Sequence, residues 1–245
     1  MPGRRGVDAL VEARAPDPDQ MEPDVSTFPS RLMRGTSPTT RMIVATARDA
    51  MVELEGPVGA TVVGSAFGEI SIAIRQLEMM LTGDGKVSPA LFKNSVHNTA
   101  AGVLSVADAN MAPSTAIAAG ELSVAYALLE GVLQLEDGVP TVVVAVGDER
   151  LPEPLSQRGD WPHFAAAWVL SSAPPLRPCV ALEPLTPIDA EPLTGPDVLA
   201  GHPCRSAWDV LDAVHHRRPG TLILGSEDGR GFGLRVHVHE HGGAR

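Results

Sequence analysis

The run TVVVAVGDE, residues 141 to 149, constrains the fold more than any other part of this chain. Its apolar residues follow one another without alternation, so neither face of such a strand can meet water. Strands of that kind lie in sheets covered by helices on both sides. The flanking segments supply the cover. SPTTRMIVATARDAMVEL opens with a capping Ser37 and a Pro at the first helical position, then places Met42, Ile43, Ala47, Met51 and Leu54 on one face of a helix.

GATVVGSAF reads as a second buried strand ending in a glycine-rich turn at Gly64 to Gly68, followed by a helix from about Glu69 to Leu81. SPALFKNSVHNTAAGVLSVADA is a loop entering a small-residue helix, where Ala100, Ala101 and Gly102 allow another backbone to come close. STAIAAG is a short strand that turns sharply into a long buried helix, ELSVAYALLEGVLQLEDG. HFAAAWVLSSA fits strand and helix equally. Prolines recur from Pro174 to Pro203, which forbids a long helix and suggests a connection lying along the surface. AWDVLDAVHHRR is then a short helix, and LILGSEDGRGFGLRVHVHE a hairpin turning at Asp-Gly. The expected architecture is α/β, an α-β-α layer sandwich with a C-terminal β-hairpin. Three regions are expected: an acidic, Pro-rich mobile tail over 1–30, a domain over 31–173, and a connection, helix and hairpin over 174–245 packed on that domain.

The charge balance, 30 acidic against 19 basic side chains for a net −11, argues against nucleic acid as a partner, because neutralising phosphates requires clustered Lys and Arg. The two cysteines, Cys179 and Cys204, offer no disulfide framework and fit a reducing compartment. Arg4 and Arg5 lead into acid and proline rather than an apolar run, and no stretch of about 18 apolar residues follows anywhere. A cytoplasmic protein without a membrane span is expected.

Four pieces in order resemble the N-terminal half of β-ketoacyl synthases: the helix around RMIVATARDAM, the strand and turn VVGSAFGEI, the helix SVHNTAAGVLSVA, and APSTAIAAGELSVAYALLEGVLQLEDGVPTVVVAVGDE. Together they cover roughly residues 31 to 150. In detail the chain looks closest to the short β-ketoacyl synthase-like N-terminal proteins that accompany type II fatty-acid or aryl-polyene polyketide systems. The resemblance implies a thiolase-like half-fold. It also aligns the synthases' Thr-Ala-Cys-x-x-Gly elbow with Thr115, Ala116, Ile117, Ala118, Ala119 and Gly120, so Ile117 stands where the nucleophile would be.

An aliphatic side chain can neither attack a thioester nor leave, whereas the synthases' cysteine does both as a thiolate favoured by a helix N-terminus. The family's second half normally supplies two histidines, and nothing after Pro174 resembles their motifs. The resemblance therefore implies a non-catalytic, chain-length-factor-like subunit whose partner is a catalytic ketosynthase, or a second copy of itself, with an acyl carrier protein as a further candidate. No cofactor is implied. In the family the nucleophile strand pairs across a two-fold axis, so Ser114, Thr115, Ala116, Ile117 and Ala118 are expected to form an edge that a partner covers. Phe67, His97, Asn98 and Met111 join them as candidates for the interface or the acyl tunnel. Two rival classes are an acyl-binding enzyme or acyltransferase working through His97 or Ser95, and a homodimeric structural protein.

Several residues invite chemistry but have plainer readings. His97 beside small residues is more often a structural hydrogen-bonding group than a base. His237, His239 and His241 share one strand face at metal-ligand spacing, yet such a run is more often a solvated strand end, and His202 with Cys204 adds too few ligands. Ser65 lacks the flanking glycines of a hydrolase elbow. Asp148 and Glu149 end a strand where α/β proteins place functional carboxylates, though a turn-stabilising pair is the commoner case.

Overall fold

The computed structural model describes residues 23–239 apart from 53, 55, 84, 173–178, 183–185, 190–195, 217 and 228–229. A four-residue helix α1 (Ser30–Met33) precedes the long α2 (Pro38–Met51), whose Ser37 side chain accepts from the Thr40 amide at 3.0 Å. Then follow β1 (Ala60–Gly64), α3 (Ile70–Thr82), α4 (Pro89–Lys93), α5 (Thr99–Ala107) and β2 (Ser114–Ile117). A 3-10 turn over Gly120–Leu122 leads into α6 (Ser123–Glu136), followed by β3 (Thr141–Asp148) and β4 (Phe164–Ser171). The chain ends in β5 (Cys179–Leu182), β6 (Thr186–Asp189), α7 (Arg205–His216), β7 (Gly220–Glu227) and β8 (Arg230–His239).

The first sheet has the order β2-β1-β3-β4, with β1 parallel to both β2 and β3, and β4 antiparallel to β3. The valine run of β3 is buried at every position from Val142 to Val146. Successive side chains of a strand point to opposite faces. Val143 and Ala145 accordingly join Ile43, Val44, Ala101 and Leu104 of α2 and α5, while Val142, Val144 and Val146 join Leu128 of α6 and Trp208 of α7. Gly131 lets α6 settle onto this second face, because a Cβ there would stand 2.7 Å from Val144 Cγ2 and 2.9 Å from Leu170 Cδ1. HFAAAWVLSSA resolves as the edge strand β4, which buries Phe164, Ala166, Trp168 and Leu170 in alternation.

The hairpin β7–β8 is present, and Leu224 and Leu234 reach the same core as β3. Its Asp-Gly turn lies outside the described residues. Three expectations need correction. The Pro-rich stretch is not only a surface connection: it contains β5 and β6, both antiparallel to β8. A strand of four residues carries too little periodicity to be read among prolines, and Pro187 is tolerated in β6 because among the described residues that strand is paired by β8 alone. Gly102 makes no close approach: a Cβ at that position would meet nothing within 4 Å, and the packed residues are Ala100 and Ala101, just before it in the helix. The tail reading also runs too far. Phe28 is buried in the α2–α5 core with the Arg48 guanidinium 4.2 Å above its ring, while the tail's earlier portion, including the helical turn expected near Val7 to Val11, lies outside the described residues. Among the described residues no helix is long and apolar enough to cross a membrane.

Candidate functional site

Because β1, β2 and β3 are parallel, their C-terminal ends meet at one end of the sheet, and every turn leaving them is crowded there. β3 delivers Asp148, which is fully buried. Its carboxylate accepts from Ser65 Oγ at 2.7 Å, from the Ala66 and Phe67 amides at 2.9 and 2.8 Å, and from Cys204 Sγ at 3.2 Å. Ser65 Oγ in turn accepts from the Gly68 amide at 2.8 Å. The glycine-rich turn after β1 is thus wound around one carboxylate. Burial pushes the Asp148 pKa up, and the bonds from Ala66, Ser65, Phe67 and Cys204 pull against that shift.

Glu149, also buried, accepts from the Ser71 amide at the start of α3 (2.9 Å), and its own amide donates to Thr39 Oγ1 (3.2 Å). Desolvation, offset by Ser71 and reinforced by the charges of Glu69 and Asp148, raises its pKa to about 7. Glu69 is buried as well, accepts from Thr40 Oγ1 at 2.6 Å, and is pushed upward by burial. His202 is a core histidine: its Nδ1 accepts from the Cys204 amide at 2.9 Å, its Nε2 donates to the Asp148 carbonyl at 3.3 Å, and Trp161 and Phe164 meet its ring edge to face. Burial lowers its pKa to about 4, so the ring is neutral. The Cys204 thiol is held well above its ordinary value by burial and by Asp148, so it remains a donor. HPC therefore packs and bonds within the core.

β2 ends at Ile117, and Ala119 (φ −146, ψ 37) and Gly120 (φ +54) bend the chain into the 3-10 turn. Ile117 sits at a tight strand-to-helix corner, partly buried against the α6 core. Its carbonyl receives the Ser65 amide at 3.0 Å and His97 Nε2 at 3.0 Å. Inside the corner, Ser123 Oγ donates to the Gly120 carbonyl and accepts from the Ala119 amide.

The structure brings Phe67, His97 and Ile117 together at this end, with Phe67 tilted on Trp161 at 6.1 Å between ring centroids. Asn98 is exposed at the start of α5 and makes no side-chain cap bond. Ser114, Thr115 and Ala116 lie along β2, and Ala118 just beyond it is exposed. Met111 is separated from this group. It precedes the N-terminal end of β2, so the length of the strand lies between it and the corner, and it is 94% exposed. Ser95 Oγ donates to the Phe92 carbonyl at 2.9 Å. In β8, His237 pairs with Ala181 and His239 with Cys179, while His241 lies outside the described residues.

Among the described residues β2 is the terminal strand of its sheet, hydrogen-bonded to β1 alone. The bonds Thr61 N to Pro113 O and Ser65 N to Ile117 O fix the phase of this pairing. Alternation then turns the amides and carbonyls of Ser114 and Ala116 outward. The sequence missed Glu69, Thr40, Ser71 and the part played by His202, since these contacts join segments far apart in the chain. An acid directly after the GSAFG turn was the one local signal.

The layered mixed sheet, with its corner at Ile117 and a terminal hairpin packed behind α6, defines a thiolase-like half-fold. The family model described as beta-ketoacyl synthase, N-terminal domain, matches residues 10–219. The chain belongs to that family. Among solved structures it is similar to a chain of the complex of the ketosynthase ApeO with its chain length factor ApeC from Xenorhabdus doucetiae, with TM-score 0.72, 20% identity, and coverage of 90% of this chain and 87% of that one. It also matches the ishigamide ketosynthase/chain length factor (TM-score 0.64, 11% identity, 85% and 82% covered). A third match is AntDE:AntF, a type II polyketide acyl-carrier protein in complex with its ketosynthase (0.65, 13%, 87% and 87%). Comparison with curated protein sequences returns no match.

Proposed function

We propose that this chain is a non-catalytic, chain-length-factor-like subunit that pairs with a catalytic ketosynthase in fatty-acyl, aryl-polyene or other type II polyketide assembly, where an acyl carrier protein is the further partner. One observation carries the reading: among the described residues β2 pairs with β1 alone, and it ends at Ile117, which the resemblance aligns with the synthases' nucleophile. Main-chain donors and acceptors on such an edge favour pairing with another strand. Near the corner, Ser65 and Cys204 hydrogen-bond Asp148, and Ser123 bonds the corner's own backbone. The acyltransferase rival finds His97 Nε2 committed to the Ile117 carbonyl and Ser95 to Phe92.

The test is reconstitution. The chain is purified alone and together with a ketosynthase encoded in its gene neighbourhood, then assayed for heterodimer mass and for condensation of carrier-bound malonyl and acyl thioesters. The reading expects a one-to-one complex, activity only with the synthase present, and a product length that changes when this chain is omitted. Acyl transfer by the isolated chain, lost in His97→Ala, supports the enzyme rival instead, and a stable homodimer indifferent to the synthase supports the structural one.

A further inference from the structure

Three acidic side chains, Glu69, Asp148 and Glu149, are buried at one end of the sheet, and they are not equivalent. Asp148 receives four donors. Glu69 and Glu149 form a poorer pair. At Glu69, Thr40 Oγ1 donates to Oε1, and hydrogen bonding from Ser37 and Thr40 pulls against the upward push of burial, while Oε2 is buried with no close partner of its own. Glu149 Oε1 has the Ser71 amide.

Both residues border the junction between α2 and α3: the Glu69 carboxyl meets Thr40 in the first turn of α2, the Glu149 main-chain amide meets Thr39 beside it, and the Glu149 carboxyl meets Ser71 in the first turn of α3, which Glu69 immediately precedes. The junction matters because α3 depends on it. Among neighbouring helices and strands α3 packs chiefly on α4, and its second half, from Leu77 onward, is exposed. The start of α3 is attached to the body by this acidic junction together with buried Ile72 and Gln76, and Gln76 carries an unpartnered buried oxygen, while the far end of α4 is held separately by buried Asn94, whose Nδ2 donates to the Arg34 carbonyl at 3.2 Å.

No cation balances the pair among the described residues. The charges acting on Glu149 are Glu69 and Asp148, both acidic. On α2, Arg41 Nε is turned to Thr36 Oγ1. After β3, Arg150 pairs with Asp160 and its amide donates to His163 Nδ1. His202 faces the Asp148 carbonyl and is neutral. On α3, Arg75 is exposed. Among the described residues no group of three acid, His or Cys side chains could hold a metal ion. Two buried like charges without a counterion are costly, and a retained proton relieves the cost by turning one carboxylate into a donor.

We propose that Glu69 and Glu149 form a proton-held latch: with one carboxyl protonated the start of α3 stays docked on α2, and when that proton is lost to water the start of α3 undocks while the sheet remains folded. The latch is a property of the chain alone and stands whether or not a ketosynthase is its partner. Glu149's raised pKa, near 7, sets where the release falls.

Hydrogen exchange read by mass spectrometry on the full chain between pH 5.5 and 8.5, corrected for intrinsic exchange rates, tests it. Peptides from the start of α3 are expected to lose protection by about tenfold or more across that range, while β3 peptides hold theirs. Glu149→Gln supplies a permanent neutral partner and flattens the profile, and Glu69→Gln, built at the other carboxyl, does the same should the first variant fold poorly. Protection at α3 that is independent of pH, or a fall as steep in both Gln variants as in the unaltered chain, overturns the proposal. Restoration of protection at pH 8.5 by millimolar Ca²⁺ or K⁺ overturns it as well, since a cation would then be the occupant.

Discussion

His97 Nε2 lies 3.0 Å from the carbonyl oxygen of Ile117, so a histidine from the loop between α4 and α5 holds the corner at which β2 turns toward α6. A carbonyl only accepts, which places the proton on Nε2 and leaves Nδ1 facing the glycine turn. At Gly68, φ is +58 and a Cβ would stand 2.4 Å from His97 Nδ1. The turn after β1 and the corner after β2 are therefore packed against each other through one imidazole.

Gly68→Ala meets two penalties, a left-handed backbone and the His97 ring, and should cost about 2 kcal/mol or more. The second penalty disappears without the ring. Urea unfolding of Gly68→Ala, His97→Ala and the double variant should yield a double-mutant cycle in which the double costs clearly less than the two singles together. Additive losses would show that the ring and the turn do not compete for the same space.

Asp148→Ala strands the Ser65 hydroxyl and the Ala66 and Phe67 amides in a buried place, at about 1–3 kcal/mol for each group left unpaired. The variant should lose about 3 kcal/mol or more, read as a lower urea midpoint at pH 7. A loss within about 0.5 kcal/mol would mean that the turn holds itself without the carboxylate.

His202 is neutral in the folded chain, with a pKa lowered from 6.5 to about 4. Between those values the unfolded chain binds the extra proton, so this group's contribution is complete above pH 6.5 and is lost as pH falls toward 4, about 3 kcal/mol in all. Glu149 acts oppositely: its folded pKa is raised, so its contribution is present below 4.5 and is lost as pH rises through about 7. The difference in unfolding free energy between His202→Gln and the unaltered chain, measured from pH 4 to 7, isolates the first effect. It should shrink as pH falls, and a constant difference would contradict the neutral core histidine.

Ile117→Cys places a thiol at the corner where β2 turns toward α6. The purified variant should show no condensation of carrier-bound substrates on its own. Turnover by that variant alone would contradict the non-catalytic reading.

Much of this fold was legible in the chain. The uninterrupted apolar run of β3 required cover on both faces, the Ser37–Pro38 start announced α2, and the small residues around Ile117 followed by Gly120 announced the corner. Local sequence carries such signals because they arise within one turn or one strand. The partnerships of Asp148, Glu149 and Glu69 were not legible, since each joins segments that only the folded sheet brings side by side. β5 and β6 were hidden for a related reason: each exists by pairing with β8, far along the chain, and neither is long enough to show a period.

The central claim is that β2 joins a ketosynthase edge to edge. Ala116→Pro tests it most directly, because the Ala116 amide points away from β1 and its loss leaves the β1–β2 bonds in place. Native mass spectrometry after co-expression with the ketosynthase should show a one-to-one heterodimer for the unaltered chain and free subunits for the variant, with the variant's unfolding midpoint nearly unchanged. A variant that binds the synthase as tightly as the unaltered chain, or an unaltered chain that never binds it, would contradict the account.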